Sequence, residues 1–335
     1  MRKFLFIFLS FLFAFQLSAA SLRCSICRKK IRGTYVKSAG KTFCGQTCFN
    51  KTKPVCAACG KRCTKGAFKK KDKFYCSKKC IETTLPKCAL CEKPFRKGII
   101  IKVPEGDKVY CKSCAALPKC FACALPVASG THLKDGRFLG ANCAKTAIFS
   151  EAVGKELFNK IRARIRNKLG WSTKHKIAFR LVDSKTLQKA SDNYEPGMEM
   201  GLFKHSYTIN TKTTTSYSLL KGRQEKTKKS LTNERYIIFI LSGLPKRKFI
   251  EVCAHELGHD WMQGHFPKIR DLKIKEGWAE YFATQVNKLY GQGYMNKRMA
   301  VNTNAVYGGG YRSIRDYIKQ HGTKGLMQYF KQLDR

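Results

Sequence analysis

Acidic residues are scarce in this chain. Over 335 residues, 22 Asp and Glu stand against 66 Lys and Arg, a formal net charge of +44. That imbalance excludes a neutral surface. It leaves two readings: a surface suited to anionic partners (membranes, cell-surface polymers, acidic substrates or nucleic acid), or a merely solubilising one. Long apolar runs are scarce too. One covers residues 4–17, broken only by Ser10 and Gln16. No later run is long enough to span a bilayer, so no transmembrane segment is expected in the mature chain. The single run follows Arg2 and Lys3 and precedes Ser18, Ala19 and Ala20, the layout of a secretory signal peptide over residues 1–20. The expected location is secreted or periplasmic, with an uncleaved membrane anchor as the alternative reading of the run. Large apolar residues are few between residues 24 and 146, which excludes independent hydrophobic cores for units of that size.

Cysteine takes the place of a core there. Of 17 cysteines, pairs of the form Cys-x-x-Cys begin at Cys24, Cys56, Cys88 and Cys120, each 32 residues after the last. A fixed period marks repeated units. The first unit offers Cys24, Cys27, Cys44 and Cys48, the second Cys56, Cys59, Cys76 and Cys80, and the third Cys88, Cys91, Cys111 and Cys114. One zinc ion held by four thiolates would supply the missing stability of each. Exported cysteines ordinarily pair as disulfides. The odd total and the metal-ligand spacing favour zinc instead. The fourth unit has Cys120, Cys123 and Cys143, with Gly140 where another thiol would stand and His132 as the candidate replacement. Cys63 and Cys253 fall outside the pattern, and Cys253 reads as a buried small apolar residue. Lysines crowd the array at Lys29, Lys30, Lys69, Lys70, Lys71, Lys73, Lys78 and Lys79. That region is the expected contact for an anionic surface or a nucleic acid.

The second concentration of chemistry is His255-Glu256-Leu257-Gly258-His259. On a helix, two histidines four apart project from one face and can share one metal ion, while Glu256 is turned towards a metal-bound water. Pro245 is expected to open that helix and Gly264 to close it. A catalytic zinc needs a third protein ligand and one open position. Glu276, seventeen residues after His259, and Glu280, one turn further on, are both candidates, the other holding a histidine ring. Asp260 is a candidate for orienting a ligand ring or a surface carboxylate. Tyr307, Tyr311 and His321 are candidate donors to a tetrahedral oxyanion.

Around these motifs, Val153, Leu157, Ile161, Ile165 and Leu169 recur at helical spacing, a connecting helix over residues 150–170. Residues 177–182 alternate as a strand, with Asp183 and Ser184 able to cap a short helix. Residues 201–209 and 235–241 read as further strands. The polar, Thr-, Ser- and Lys-rich stretches 191–200 and 211–231 read as mobile loops. Two helices, 308–320 and 322–333, close the chain.

Several of these segments resemble the LIM-domain peptidases of plants that restrain organ growth, a family of ubiquitin-activated gluzincins. The likeness spans roughly residues 88–322. It includes Cys120 through Leu133-Lys134-Asp135-Gly136-Arg137 to Cys143, then Ile240-Leu241-Ser242-Gly243-Leu244-Pro245, residues 255–261, Glu276-Gly277 and Gly310-Tyr311-Arg312-Ser313-Ile314-Arg315. The resemblance implies a bacterial-like, exported relative of α+β class: tandem LIM-like, treble-clef zinc fingers over residues 21–149, then a zincin-like gluzincin metallopeptidase domain over residues 171–335. It implies zinc on His255, His259 and Glu276, so it favours Glu276 over Glu280, with Glu256 as general acid and base. The chain departs from the family at Gly140, where a cysteine is expected. It also carries no acidic helix resembling a ubiquitin-interacting motif, so activation by ubiquitin is not expected. The function so implied is an exported zinc endopeptidase acting on protein or peptide substrates, its finger array recruiting substrate or partner. The alternative is a zinc-finger binding or scaffold protein, for nucleic acid or protein, with an inactive peptidase domain.

Overall fold

The computed structural model describes residues 22–192, 199–218 and 222–335; the expected signal peptide and residues 193–198 of an expected loop lie outside the described residues. The protein is of mixed α+β composition and forms two compact units, Met1–Pro86 and Lys87–Arg335. The boundary falls inside the finger array, so the third and fourth fingers group with the segment that follows them.

The first unit holds two fingers of one design. Strands β1 (Val36–Ser38) and β2 (Lys41–Phe43) form a hairpin followed by helix α1 (Gln46–Asn50). The second finger repeats this with β3 (Phe68–Lys70), β4 (Lys73–Tyr75) and α2 (Lys78–Glu82), whose Ser77 hydroxyl accepts from the Cys80 N–H. Each has a minimal interior: Cys24, Phe43 and Cys48 in one, Cys56, Cys63 and Tyr75 in the other. So little apolar burial cannot offset the entropy of ordering such a unit.

The second unit begins with two more such fingers. They comprise β5 (Gly98–Ile101), β6 (Lys108–Cys111) and α3 (Lys112–Ala115), then β7 (Gly130–His132), β8 (Phe138–Gly140) and α4 (Ala141–Ala144). After α4 comes β9 (Ala147–Ile148). Helix α5 (Glu151–Leu169) is capped by the Ser150 hydroxyl at one end and stopped by Gly170 in the left-handed conformation (φ 70°) at the other. Its buried face, Phe158, Ile161 and Ile165, lies on β10 (Ile177–Val182), with Phe158 and Phe179 ring centroids 5.0 Å apart. Asp183 caps α6 (Ser184–Ala190) as expected, accepting from the Thr186 N–H at 2.8 Å.

Strands β11 (Gly201–Ser218) and β12 (Gly222–Leu241) complete a three-stranded sheet in the order β10-β12-β11. Strand β12 is parallel to β10 and antiparallel to β11. The expectation of loops across residues 211–231 is therefore corrected. The described residues among them, 211–218 and 222–231, form a long ribbon in which Thr211 faces Lys229 and Thr213 faces Thr227. Threonine favours extended backbone, and both faces of the ribbon meet water. No apolar alternation is required there, and none was available to read. A register shift between Ser206 and Thr208, with Asn233 at φ 53°, separates the ribbon from the buried part of the sheet.

Two residues, Leu244–Pro245, form β13 and pair with β9. They lead into α7 (Lys246–His265), then α8 (Leu272–Leu289), capped by Asp271, a single 3₁₀ turn (Gly293–Met295), α9 (Asn296–Val301) and α10 (Tyr307–Leu333). At Gly322 the backbone leaves helical geometry (φ 67°, ψ 174°), so α10 is two helical segments, as the sequence suggests. Gly264 does not end α7. It lies inside the helix, where a Cβ would come 2.8 Å from Thr173 Cγ2, so the glycine admits a neighbour and does not cap the helix. The core joins the sheet to the helices through Phe179, Ile238, Ile240, Phe249, Trp278 and Phe330.

The fourth finger is built into this unit. Arg137 donates to the Ser242 carbonyl at 2.8 Å, Asp135 accepts from the Ser184 N–H at 2.9 Å, and the Lys246 N–H reaches the Thr146 carbonyl at 2.9 Å. The turn entering α7 is thus held by the residues that follow Cys143.

Candidate metal centres

Two close helix crossings make the histidine site. At Gly258 a Cβ would lie 2.8 Å from Ala279 Cα, so α7 and α8 touch almost backbone to backbone. This brings Glu276 against the histidine face of α7. At Gly277 a Cβ would lie 2.5 Å from the Gly310 carbonyl carbon, so α10 starts close beside α8. This brings Tyr307 towards the site, its ring centroid 6.5 Å from that of His255. The glycine after His255-Glu256 and the one after Glu276 are therefore the contact points that close the site.

His255 Nε2 and His259 Nε2 face each other at 3.1 Å, and Glu276 Oε2 lies 3.2 Å from the first and 3.5 Å from the second. Tetrahedral ligands at about 2.0–2.1 Å from one zinc are about 3.3 Å apart. The triangle has those edges. Glu276 Oε2 is buried without a hydrogen-bond partner, as expected of an atom whose partner is a cation. Burial opposes a charge on His255, but the Glu276, Glu280 and Glu256 carboxylates outweigh it and raise its pKa to about 10. So much negative charge around two imidazoles could hold a positive ion.

Glu280 is not part of the triangle. Its Oε1 is 3.6 Å from His255 Nδ1, on the far side of the ring. Burial pushes the Glu280 carboxyl up. Glu256 is buried beside the site, and burial raises its pKa as well, against the pull of the two histidines and a backbone hydrogen bond from Phe203. Asp260 turns away from the metal ligands. It is buried and accepts from Thr173 Oγ1 at 2.6 Å, with His175 Nδ1 at 2.7 Å. Neither sequence reading of Asp260 stands, because the next residue on a helix points about 100° round the axis. Of the three oxyanion candidates, Tyr307 has its ring centroid 6.5 Å from that of His255. The Tyr311 ring is buried under the Arg315 guanidinium, and the His321 ring lies tilted against Tyr317, centroids 4.5 Å apart.

A buried ion pair beside the site was missed. Glu251, one turn before His255, is paired with Lys248 Nζ at 3.3 Å and with Arg298. Burial works against the Glu251 charge, but Lys248 and Arg298 hold its carboxyl below the usual range. The signal was an acid four residues before a ligand on the same helix.

The cysteine centres are as the spacing predicts for the first three fingers. Each set of four thiols converges with all sulfurs within 4.8 Å of one another. Neighbouring sulfurs lie 3.5–3.9 Å apart: Cys27–Cys44 at 3.7 Å, Cys44–Cys48 and Cys76–Cys80 at 3.5 Å, Cys59–Cys76 at 3.6 Å and Cys91–Cys111 at 3.9 Å. Four sulfurs at about 2.3 Å from zinc are about 3.8 Å apart. Against the cost of burial, backbone N–H groups lower the Cys24, Cys56 and Cys88 thiols to about 6. Their neighbours Cys44, Cys76 and Cys114 are pushed up to about 12, chiefly by the adjoining sulfurs. A second thiolate needs a cation between the two, which a zinc ion would supply. In the fourth finger Cys120, Cys123 and Cys143 converge as a group of three. His132 does not join them; its exposed ring lies on Phe138, centroids 4.8 Å apart.

No family model matches this chain, and a search of curated proteins gives no significant match.

Proposed function

We propose that the Lys87–Arg335 unit is a zinc-dependent endopeptidase of gluzincin type, and that the fingers recruit its substrate or a partner. The observation that carries this reading is Glu256, a buried carboxylate beside a triangle of two imidazoles and a carboxylate. A purely structural metal site has no use for a base at that place. The resemblance to the LIM-domain peptidases points the same way. Bound at His255, His259 and Glu276, zinc would supply Lewis-acid polarisation of a carbonyl and an acidified water. Glu256 takes up a proton at its carboxylate and delivers it to the leaving amine. Its raised pKa suits both halves of that task. Strand β11 lies at an edge of the sheet, where an extended peptide can add as a further strand. Tyr307, whose ring centroid lies 6.5 Å from that of His255, is the proposed donor to the developing oxyanion. Export, resting on residues 1–20, belongs to the same proposal.

The test uses the full chain and an unfolded, fluorescently labelled protein, with Glu256→Gln as control at equal zinc content. The expected result is hydrolysis by the native chain, reduced about 10²–10⁴-fold in the variant. Equal rates would remove the peptidase reading. The second reading, a binding or scaffold protein, draws on the first unit, where residues 22–86 carry 18 Lys and Arg against Asp72 and Glu82. It requires salt-sensitive nucleic-acid binding that is indifferent to Glu256.

A further inference from the structure

The fourth finger differs from the third at one ligand. In the third, Gly98 pairs with Cys111, which ends β6 and begins α3 at φ −66°, ψ 159°. In the fourth, Gly130 pairs with Gly140, which ends β8 and begins α4 at φ −64°, ψ 143°. Cys114 and Cys143 each follow three residues later. Gly140 therefore occupies the backbone place of Cys111, in a conformation open to any residue. Only the thiol is missing.

The other three thiols are kept and converge within 4.8 Å. Among the described residues, no further His, Cys, Asp or Glu atom joins them. The missing side chain cannot simply be put back. A Cβ at Gly140 would lie 2.9 Å from Val127 Cγ1 and 3.3 Å from Cys120 Cβ. A donor tethered through residue 140 is crowded out, whereas one that is not tethered there escapes that clash. The rim is accessible: Cys123 is exposed and Cys143 half-buried, and Cys111, whose sulfur marks the equivalent place in the third finger, is half-buried. Zinc takes four ligands, and a sphere with three thiolates favours a soft fourth donor.

We propose that the fourth finger is a three-thiolate zinc centre whose remaining coordination position takes a thiolate from outside the chain. The incoming thiol gives its proton to solvent, and its sulfur completes the four-sulfur sphere that the other fingers build from their own residues. A free small thiol and a cysteine of another protein share this chemistry. The Val127 side chain crowding the position favours the small one.

Cadmium NMR of the cadmium-loaded full chain, in thiol-free buffer, tests this without altering the protein. Cadmium resonances move downfield with each sulfur donor, so the centres separate by ligand set. The expected spectrum has three four-sulfur signals and one three-sulfur signal, apart from the His255–His259–Glu276 centre. Added N-acetylcysteine moves only the three-sulfur signal into the four-sulfur region. A flexible peptide with one internal cysteine forms the second arm: a matching shift makes a protein thiol an equal ligand, and a shift with N-acetylcysteine alone assigns a small one. The double substitution Gly140→Cys with Val127→Ala places the fourth signal there with no added thiol. A three-sulfur signal that ignores both thiols, a fourth four-sulfur signal before any thiol is added, or no fourth thiolate signal at all would overturn the proposal.

Discussion

The cysteine centres and the histidine centre solve opposite problems. In the first three fingers, four thiols converge around a position that little else holds together; the interior of the third is Cys88, Tyr110 and Cys114 with a few half-buried neighbours. The His255–His259–Glu276 triangle sits on two long helices fixed by a large core, and the site adds little to their folding. The fingers need all four ligands because the metal is their core. The helices can leave a position open because their stability comes from elsewhere. The fourth finger stands between these cases. It has three thiols, and Arg137, Asp135 and the β9–β13 pairing tie it to the helical part of the unit.

The sharpest break of this comparison removes one ligand from each kind of centre. Cys88→Ser should cost the third finger its zinc, worth on the order of 10 kcal/mol to such a unit. Metal content would fall by one, and amide hydrogens over residues 88–114 would exchange freely. His259→Ala should also cost one metal ion, yet leave the circular dichroism and exchange protection of α7 nearly unchanged, because Phe249, Trp261 and Met262 still hold it. If the two variants unfolded alike, the distinction would be lost.

A smaller effect is expected at Glu280. Glu280→Gln removes the charge behind His255 and should weaken metal binding at that centre about 10–100-fold in chelator competition, with the finger metals unaffected. Gly277→Ala tests whether the site depends on helix packing. The added methyl meets the Gly310 backbone, so thermal unfolding should report a loss of about 1–3 kcal/mol. The smallest effect concerns the brace on the fourth finger. Burial opposes ionisation of Asp135, but the Ser184 N–H and Arg137 outweigh it and hold the carboxyl below its usual range. A carboxyl lowered on folding adds stability above its unfolded pKa and loses it as pH falls through the folded value. In acid titration, Asp135→Asn should remove about 1 kcal/mol near neutrality and flatten the dependence below about pH 4.

Much of the site was legible because its chemistry is local. The two histidines and Glu256 lie within one helical turn, and the 32-residue spacing of the cysteine pairs marks the fingers directly. The strand at residues 235–241 was legible because it is buried and apolar. The ribbon over residues 211–218 and 222–231 was not, since a strand wet on both faces has no alternation to betray it. Asp260 was misread because its partners, Thr173 and His175, are more than eighty residues away in the chain. Tyr307 could not be separated from Tyr311 and His321, because the approach of Gly310 to Gly277, which brings the Tyr307 ring beside His255, belongs to the tertiary packing.

The sequence by itself therefore determined which atoms can bind metal, since donor type and short spacing are properties of the chain. It also determined that the fingers cannot stand on apolar burial. Only the tertiary structure decided that Glu276 closes the triangle while Glu280 stands behind His255, because the sixteen residues between His259 and Glu276 leave the approach of two helices free until Gly258 meets Ala279. Only the tertiary structure, too, decided that a side chain at Gly140, the position the cysteine spacing already marks, would meet Val127, because the packing of one segment on another is not recorded in that spacing.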